Sequence, residues 1–344
     1  MTEPAIAAPS DPERAPSDAE RAPSDAERPG ADSERPPSEM GRPPTDAGRP
    51  SALRVWLLAI RPATLPAAIA PVLVGLGVGL ASNVFRPGPA LGCLAVALLL
   101  QVAANLANDL ADFRSGADAA DRVGPVRVAA TGLVSPRDLT IATALVLGLA
   151  GLVGLYLASV GGIVLLALGA LAIVSALAYT GGPWPYGYRG LGEIFVFAFF
   201  GLVAVIGTAY LQTGTIDALA FLAALPMGCL AAAILVVNNL RDIDGDRRAG
   251  KRTLAVTFGP GFARGEYLAM LVVAFAIPLV VWVAGLARIP AALPLVAIPL
   301  AVPLVRIVLA DGDPRRLNPV LRGTARLELV VAMLFAAGLA VGGR

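Results

Sequence analysis

Beyond residue 50 the chain consists largely of long apolar runs. Nine segments stand out, at 64–82, 90–108, 139–157, 161–179, 193–211, 218–238, 268–286, 292–309 and 326–342. None alternates with the period of two that a half-exposed strand requires, and all are too long for the strands of a membrane barrel. Runs near 20 residues match the hydrocarbon thickness of a bilayer, where a helix satisfies all of its own backbone hydrogen bonds. The pattern predicts an all-α polytopic membrane protein with nine transmembrane helices, occupying residues 51–344. Gly and Pro within the runs, among them Pro71, Gly75, Gly201 and Pro226, suit helices that pack closely in lipid.

Residues 1–50 follow another rule. Arginine recurs at 14, 21, 28, 35, 42 and 49, a seven-residue spacing that suggests a coiled coil. Prolines interrupt every unit, each costing about 3 kcal/mol inside a helix, and no apolar seam exists. The expectation is a disordered Pro/Arg/Asp-rich repeat tail, with no apolar stretch that would make it a signal peptide.

Composition narrows the chemistry. The 344 residues are 56% hydrophobic and 15% charged, against about 25% charged in soluble domains. The absence of histidine excludes imidazole bases, His-ligated metals and Ser-His-Asp triads. Cys93 and Cys229 both fall inside apolar runs and read as buried free thiols. All 27 basic residues are arginine except Lys251.

Their placement sets an orientation. Arg54 and Arg61 precede the first segment. The loops after the second, fourth, sixth and eighth carry clusters such as Arg114, Arg122, Arg127 and Arg137, whereas the alternate loops hold only Arg86 and Arg288. The positive-inside rule then puts the N-terminus and the basic loops in the cytoplasm of a bacterium, the C-terminus outside, and the chain in the plasma (inner) membrane.

Two acidic clusters close apolar runs on that same side. At the end of the second segment, Asn105, Asp109 and Asp112 share one helix face, with Gln101 a turn deeper, Asn108 off the face and Asp118 beyond Gly116. At the end of the sixth, Asn238, Asp242 and Asp246 repeat the pattern, with Asp244 directed elsewhere. Acids at a helix C-terminus oppose the helix dipole, so clusters of them there are functional candidates. Like-charged carboxylates converge stably around a cation, and Mg²⁺ takes one or two of them together with substrate phosphates. Arg122, Arg127, Lys251 and Arg252 follow the acids and suit phosphate oxygens. These residues describe a site for Mg²⁺ and a diphosphate, with no nucleic-acid partner.

Over residues 54–342 the sequence resembles the UbiA superfamily of intramembrane aromatic prenyltransferases. Its detail is similar to the branch acting on 1,4-dihydroxy-2-naphthoate in menaquinone biosynthesis. The resemblance rests on Arg61-Pro-Ala-Thr-Leu-Pro, on Asn105-Leu-Ala-Asn-Asp-Leu-Ala-Asp112 running on to Asp118 and Arg122–Arg127, on the stretch from Ala178 to Glu193, and on Asn238 through Val256. It implies nine helices around a central cavity and Mg²⁺-dependent transfer of a polyprenyl chain from its diphosphate to the naphthoate, with loss of CO2.

On that basis Asp109, Asp112, Asp242 and Asp246 contact Mg²⁺, with Asn105, Asn108, Asp118 and Asn238 as further metal candidates. Arg122, Arg127, Lys251 and Arg252 grip the diphosphate. Tyr179 stabilises the allylic cation, and Arg61, Tyr186 and Glu193 address the acceptor. Glu193 stands where that branch often has Asp. The alternatives are another aromatic acceptor such as 4-hydroxybenzoate and, more distantly, an ion-coupled transporter, which would place its acids mid-span rather than at span ends.

Overall fold

The computed structural model describes residues 50–115, 124, 127–310 and 312–343; the expected disordered tail falls, but for Pro50, outside them. Among the described residues all regular structure is helical. A short helix, α1 (Ala52–Ile60), precedes the first apolar segment and is capped by Ser51, whose hydroxyl accepts the Arg54 amide at 3.4 Å. It stops because Arg61 adopts the left-handed conformation, φ 55°, and Pro62 opens a single 3-10 turn into α2 (Leu65–Ala81).

Next come α3 (Pro87–Ser115), α4 (Pro136–Gly161) and α5 (Ile163–Ala178). The helix α6 (Gly192–Val196) continues through π-helical turns at Phe197–Ile206 into α7 (Gly207–Thr213). After α8 (Ala218–Arg241) two short helices, α9 (Ile243–Arg248) and α10 (Leu254–Phe258), lead to α11 (Pro260–Val283). A 3-10 stretch, Ile289–Ala297, carries Pro290 and Pro294 and runs into α12 (Ile298–Leu309); the last helix is α13 (Leu317–Gly342).

All nine apolar segments are therefore helical, in a multi-pass membrane protein, but they are not equal in length. Eight helical stretches, the first counted across the Arg61 turn from Ala52 to Ala81, run to between 21 and 30 residues, long enough to cross a bilayer. The fourth segment is the exception. Gly162, at φ 92°, breaks the chain directly after α4, leaving α5 with 16 residues. That is about 24 Å at 1.5 Å per residue, short of a hydrocarbon core of about 30 Å.

Burial ranks the helices. In its most apolar stretch α8 is 72% buried, whereas α4 is 17% buried. A run of Ala223, Ala224, Ala231, Ala232 and Ala233 lets neighbours close on α8 from several sides. The second acidic motif thus ends the central helix of the bundle, and the first ends α3, which packs mainly on α2 and α4.

Glycine sets the closest approaches. Gly201 lies against Gly228, where a Cβ would meet the Gly228 Cα at 2.7 Å, and Gly338 of α13 abuts the Pro290 carbonyl oxygen. We expect Gly338→Ala to cost about 1–3 kcal/mol through overpacking and to lower the melting temperature of the detergent-solubilised protein. Gly148→Ala, where a Cβ meets open space, serves as the control and leaves that temperature level or higher. Equal melting temperatures for the two variants would contradict the packing described.

Candidate active site

The end of α3 is wired to the α1–α2 turn. Thr64 donates its hydroxyl to the Arg61 carbonyl at 3.0 Å and accepts amide protons from Gln101 at 3.0 Å and Asn105 at 2.9 Å. Asn105 also donates to the Ile60 carbonyl at 2.8 Å. These bonds hold Arg61 in a backbone conformation that costs a non-glycine residue about 1–2 kcal/mol, and they bring its guanidinium 3.7 Å from Asp109.

Asp109 itself is fully buried. Its two oxygens accept the backbone amides of Val128 at 3.1 Å and Ala129 at 3.2 Å, so it clamps the returning chain onto α3. Asp112, one turn on, has different company: one oxygen accepts the Tyr188 hydroxyl at 3.1 Å and the other pairs with Arg127. Asn108 looks a third way, accepting the Thr180 hydroxyl at 2.8 Å. Asp118 and Arg122 lie outside the described residues.

At the end of α8 a buried arginine organises the second motif. The Arg241 fork donates to both Asp242 oxygens, at 2.8 and 2.6 Å, to Asn238 at 2.9 Å and to Asn318 of α13 at 3.0 Å. Asp246, on α9, pairs with the Lys251 ammonium at 3.2 Å. That ammonium lies 4.7 Å from the centre of the Tyr188 ring, and the Arg252 amide donates to the Tyr188 carbonyl at 2.8 Å; the Arg252 side chain is exposed.

The two motifs therefore meet through one tyrosine and one lysine, in the order Asp112, Tyr188, Lys251, Asp246. Burial raises the Tyr188 pKa and the Asp112 charge raises it further, keeping the phenol neutral. Burial pulls the Lys251 ammonium down, but the carboxylates of Asp246 and Asp112 outweigh it and hold the ammonium above its ordinary range. Each carboxylate has its own cation: Asp109 with Arg61, Asp112 with Arg127, Asp242 with Arg241, Asp246 with Lys251.

The 179–193 stretch forms the adjoining wall. Tyr179 meets Tyr186 edge to face, ring centres 5.4 Å apart, and Tyr186 stacks on Phe195 at 4.1 Å. Gly187 donates its amide to the Tyr179 carbonyl at 3.0 Å, and a Cβ there would strike the Tyr179 ring at 2.8 Å. Burial raises the Tyr179 pKa, and the charges of Glu193, Asp246 and Asp112 add to the rise, so this phenol sits within electrostatic reach of both motifs. Glu193 is buried; one oxygen accepts the Asn239 amide at 2.7 Å, and the other has no hydrogen-bond partner among the described residues.

Sequence reasoning left Tyr188, Arg241 and Asn239 without roles. Each had a signal. Arg241 follows Asn238 by three residues on the same helix, Asn239 adjoins it, and Tyr188 lies inside the aromatic stretch already singled out.

Among the described residues no three acids stand together as a metal cage. The carboxylates of Asp112 and Asp246 lie at the two ends of the Tyr188–Lys251 bridge, each also paired with a cation. The metal-ligating atoms the motifs offer are carboxylate and side-chain amide oxygens of Asp and Asn, without His or Cys. Such a set suits a hard cation held partly by phosphate oxygens rather than by protein alone.

Comparison with known proteins places the chain among relatives. The chain is 43% identical over 287 residues, 83% of its length and 97% of the relative's, to a 1,4-dihydroxy-2-naphthoate octaprenyltransferase of Mycobacterium tuberculosis (strain ATCC 25618 / H37Rv). It is 38% identical over 298 residues, 84% of this chain and 97% of the other, to the protein of that name from Haemophilus influenzae (strain ATCC 51907 / DSM 11121 / KW20 / Rd). The fold is similar to that of a UbiA homolog from Archaeoglobus fulgidus bound to GPP and Mg²⁺, with a TM-score of 0.59 at 18% identity, over 83% of this chain and 99% of that one. Residues 68–340 match the UbiA prenyltransferase family over both acidic motifs and nearly every helix, and the chain belongs to that family.

Proposed function

We propose that this protein transfers a polyprenyl chain from polyprenyl diphosphate to 1,4-dihydroxy-2-naphthoate with release of CO2, the prenylation step of menaquinone biosynthesis. The observation that carries the reading is the meeting of both acidic motifs at Tyr188 and Lys251, on a chain whose relatives of that name match it over most of its length.

The residues divide the work. Asp112, Asp242 and Asp246, with Asn108 and Asn238, would hold Mg²⁺, which when bound supplies charge neutralisation at the diphosphate. Lys251 and Arg127, each now paired with one carboxylate, are placed to exchange that partner for phosphate oxygens. They stabilise the negative charge that develops as the allylic C–O bond breaks and its electron pair leaves with diphosphate. Tyr179 would stabilise the allylic cation, backed by Tyr186, which is stacked on Phe195 and would address the acceptor. The ring carbon of the acceptor then forms the new C–C bond, and the carboxylate on that carbon departs as CO2, its bonding pair restoring the aromatic ring.

Glu193, with one oxygen fixed by Asn239 and the other free of hydrogen bonds, is positioned to take the proton of an acceptor hydroxyl, which enriches the ring before attack. Arg61 stands beside the first motif, where it would pair with the acceptor carboxylate. Apolar walls exclude the water that would otherwise quench the cation. Asp109 acts differently from the other acids, because its oxygens already serve two backbone amides: it shapes the site. The arginine-rich loops support a cytoplasmic position for the acidic helix ends, in the bacterial inner membrane.

The reading is tested with protein purified in detergent, Mg²⁺ and a polyprenyl diphosphate, offering 1,4-dihydroxy-2-naphthoate and 4-hydroxybenzoate in parallel. Prenylated naphthalene product and CO2, both abolished by EDTA and restored by Mg²⁺, are expected. Product from 4-hydroxybenzoate alone would move the enzyme to another acceptor.

The two acids of α3 should also separate. Asp112→Ala is expected to cut turnover by about 10²-fold or more. Its melting temperature, lowered because the buried Arg127 guanidinium loses its carboxylate, is expected to recover when Arg127→Gln is added. Asp109→Ala strands two buried amides, each costing about 1–3 kcal/mol, and should lower the melting temperature as well as activity. A stable Asp109→Ala protein with the catalytic loss of Asp112→Ala would place both acids in one role.

A further inference from the structure

On the flank where α11, α12 and the start of α13 meet, away from the Tyr188–Lys251 bridge, the protein forms a partly open cavity of about 300 Å³. Three arginines line it: Arg264 near the start of α11, Arg306 in the last turn of α12 and Arg316 in the turn before α13. Asp313 is the one carboxylate among its described lining residues, and one of its oxygens is engaged as a helix cap by the Arg315 amide at 2.8 Å. Neither Arg306 nor Arg316 has a carboxylate partner among the described residues. Among the described lining residues arginines thus outnumber carboxylates, on the membrane face that also holds the acidic motifs, since Leu240 and Ile243 form part of the wall.

A second hollow continues it. A groove of about 480 Å³ runs between α11 and α12, lined by Leu271, Val272, Phe275, Ala301 and Val302. Arg306 belongs to both spaces and joins them. Val272 and Val302 are 59% and 40% exposed, so the groove opens outward along the apolar flank of the bundle.

We propose that this composite cavity is a binding site for an anionic phospholipid of the surrounding bilayer, its phosphodiester held by Arg306 and Arg316 with Arg264 behind them, and an acyl chain lying in the groove. The charge sits where a headgroup would, at the end of the spans, and the apolar channel sits where hydrocarbon would. Basic pockets between transmembrane helices recognise lipid phosphates in this way, and arginine forks match phosphate oxygens in pairs. A diphosphate donor fits less well, because it travels with Mg²⁺ and the described wall offers it a single, already capped carboxylate. The lipid would pack behind the Arg241–Asp242 pair, since Leu240 and Ile243 flank that pair in sequence, and so would brace the corner between α8 and α9.

The test uses the full chain, delipidated in a neutral detergent, with phosphatidylglycerol, phosphatidylcholine of the same acyl chains, inorganic phosphate and farnesyl diphosphate without Mg²⁺ as separate probes. Melting temperature and the lipid adducts retained in native mass spectrometry are the readouts. Phosphatidylglycerol alone is expected to raise the melting temperature and to remain as a single adduct. The double variant Arg306→Gln/Arg316→Gln is expected to weaken that binding by about tenfold or more, from the loss of charge-assisted hydrogen bonds. Both side chains are exposed, so the lipid-free variant should melt where wild type does; if it does not, Val302→Trp, which fills the groove and keeps the arginines, replaces it with the same expectation. Equal stabilisation by phosphatidylcholine, preference for phosphate or farnesyl diphosphate, or undiminished binding in the variants would overturn the proposal.

Discussion

The site depends on neutralising carboxylates that the fold buries at the boundary between hydrocarbon and water. An isolated carboxylate in such a place pays a large desolvation cost, and removing one partner of a buried pair typically costs about 3–5 kcal/mol. Here the chain supplies one cation to each of four acids, Arg61, Arg127, Arg241 and Lys251 in turn. Much of the local architecture follows. The left-handed turn at Arg61, the return of the chain over Asp109 and the buried fork of Arg241 all deliver a guanidinium to a carboxylate.

The same pairing prepares the chemistry. A phosphate-bearing substrate entering with a divalent cation brings both signs of charge, so cation can go to carboxylate and arginine or lysine to phosphate with little net change. Lys251 is the hinge of such an exchange. It touches Asp246, lies over Tyr188 and feels Asp112, and so couples the ends of α3 and α8 although these are separated by four intervening helices in sequence. Glycines at 187 and 190 let the aromatic wall approach this hinge: Gly187 under the Tyr179 ring, and Gly190, at φ 72°, beside the Arg252 carbonyl.

Much of this was legible in the sequence. The apolar runs located the helices because hydrocarbon imposes length and composition together, and the acids stood out because they end such runs. What the sequence did not reveal depends on tertiary partners. Asp109 and Asp112 look alike on a helical wheel, yet one meets backbone amides and the other a phenol and a guanidinium, a distinction set by where residues 127–129 return. Arg241 begins the basic loop after the sixth apolar segment, where the positive-inside rule alone would account for it, and only packing against Asn318 of α13 shows its fork turned inward. The shortness of α5 rests on Gly162, whose positive φ is a backbone choice that apolar periodicity does not register.

The most direct test of the central claim, that two distant motifs make one diphosphate site, is a double-mutant cycle on Asp112 and Asp246. The quantity measured is Mg²⁺-dependent binding of a non-reactive prenyl diphosphate analogue to the detergent-purified protein. If the motifs act together through Tyr188 and Lys251, each single Asp→Asn change removes most of the binding and the double variant loses little more. Losses that simply add would mean that the two motifs act independently, and would contradict the account.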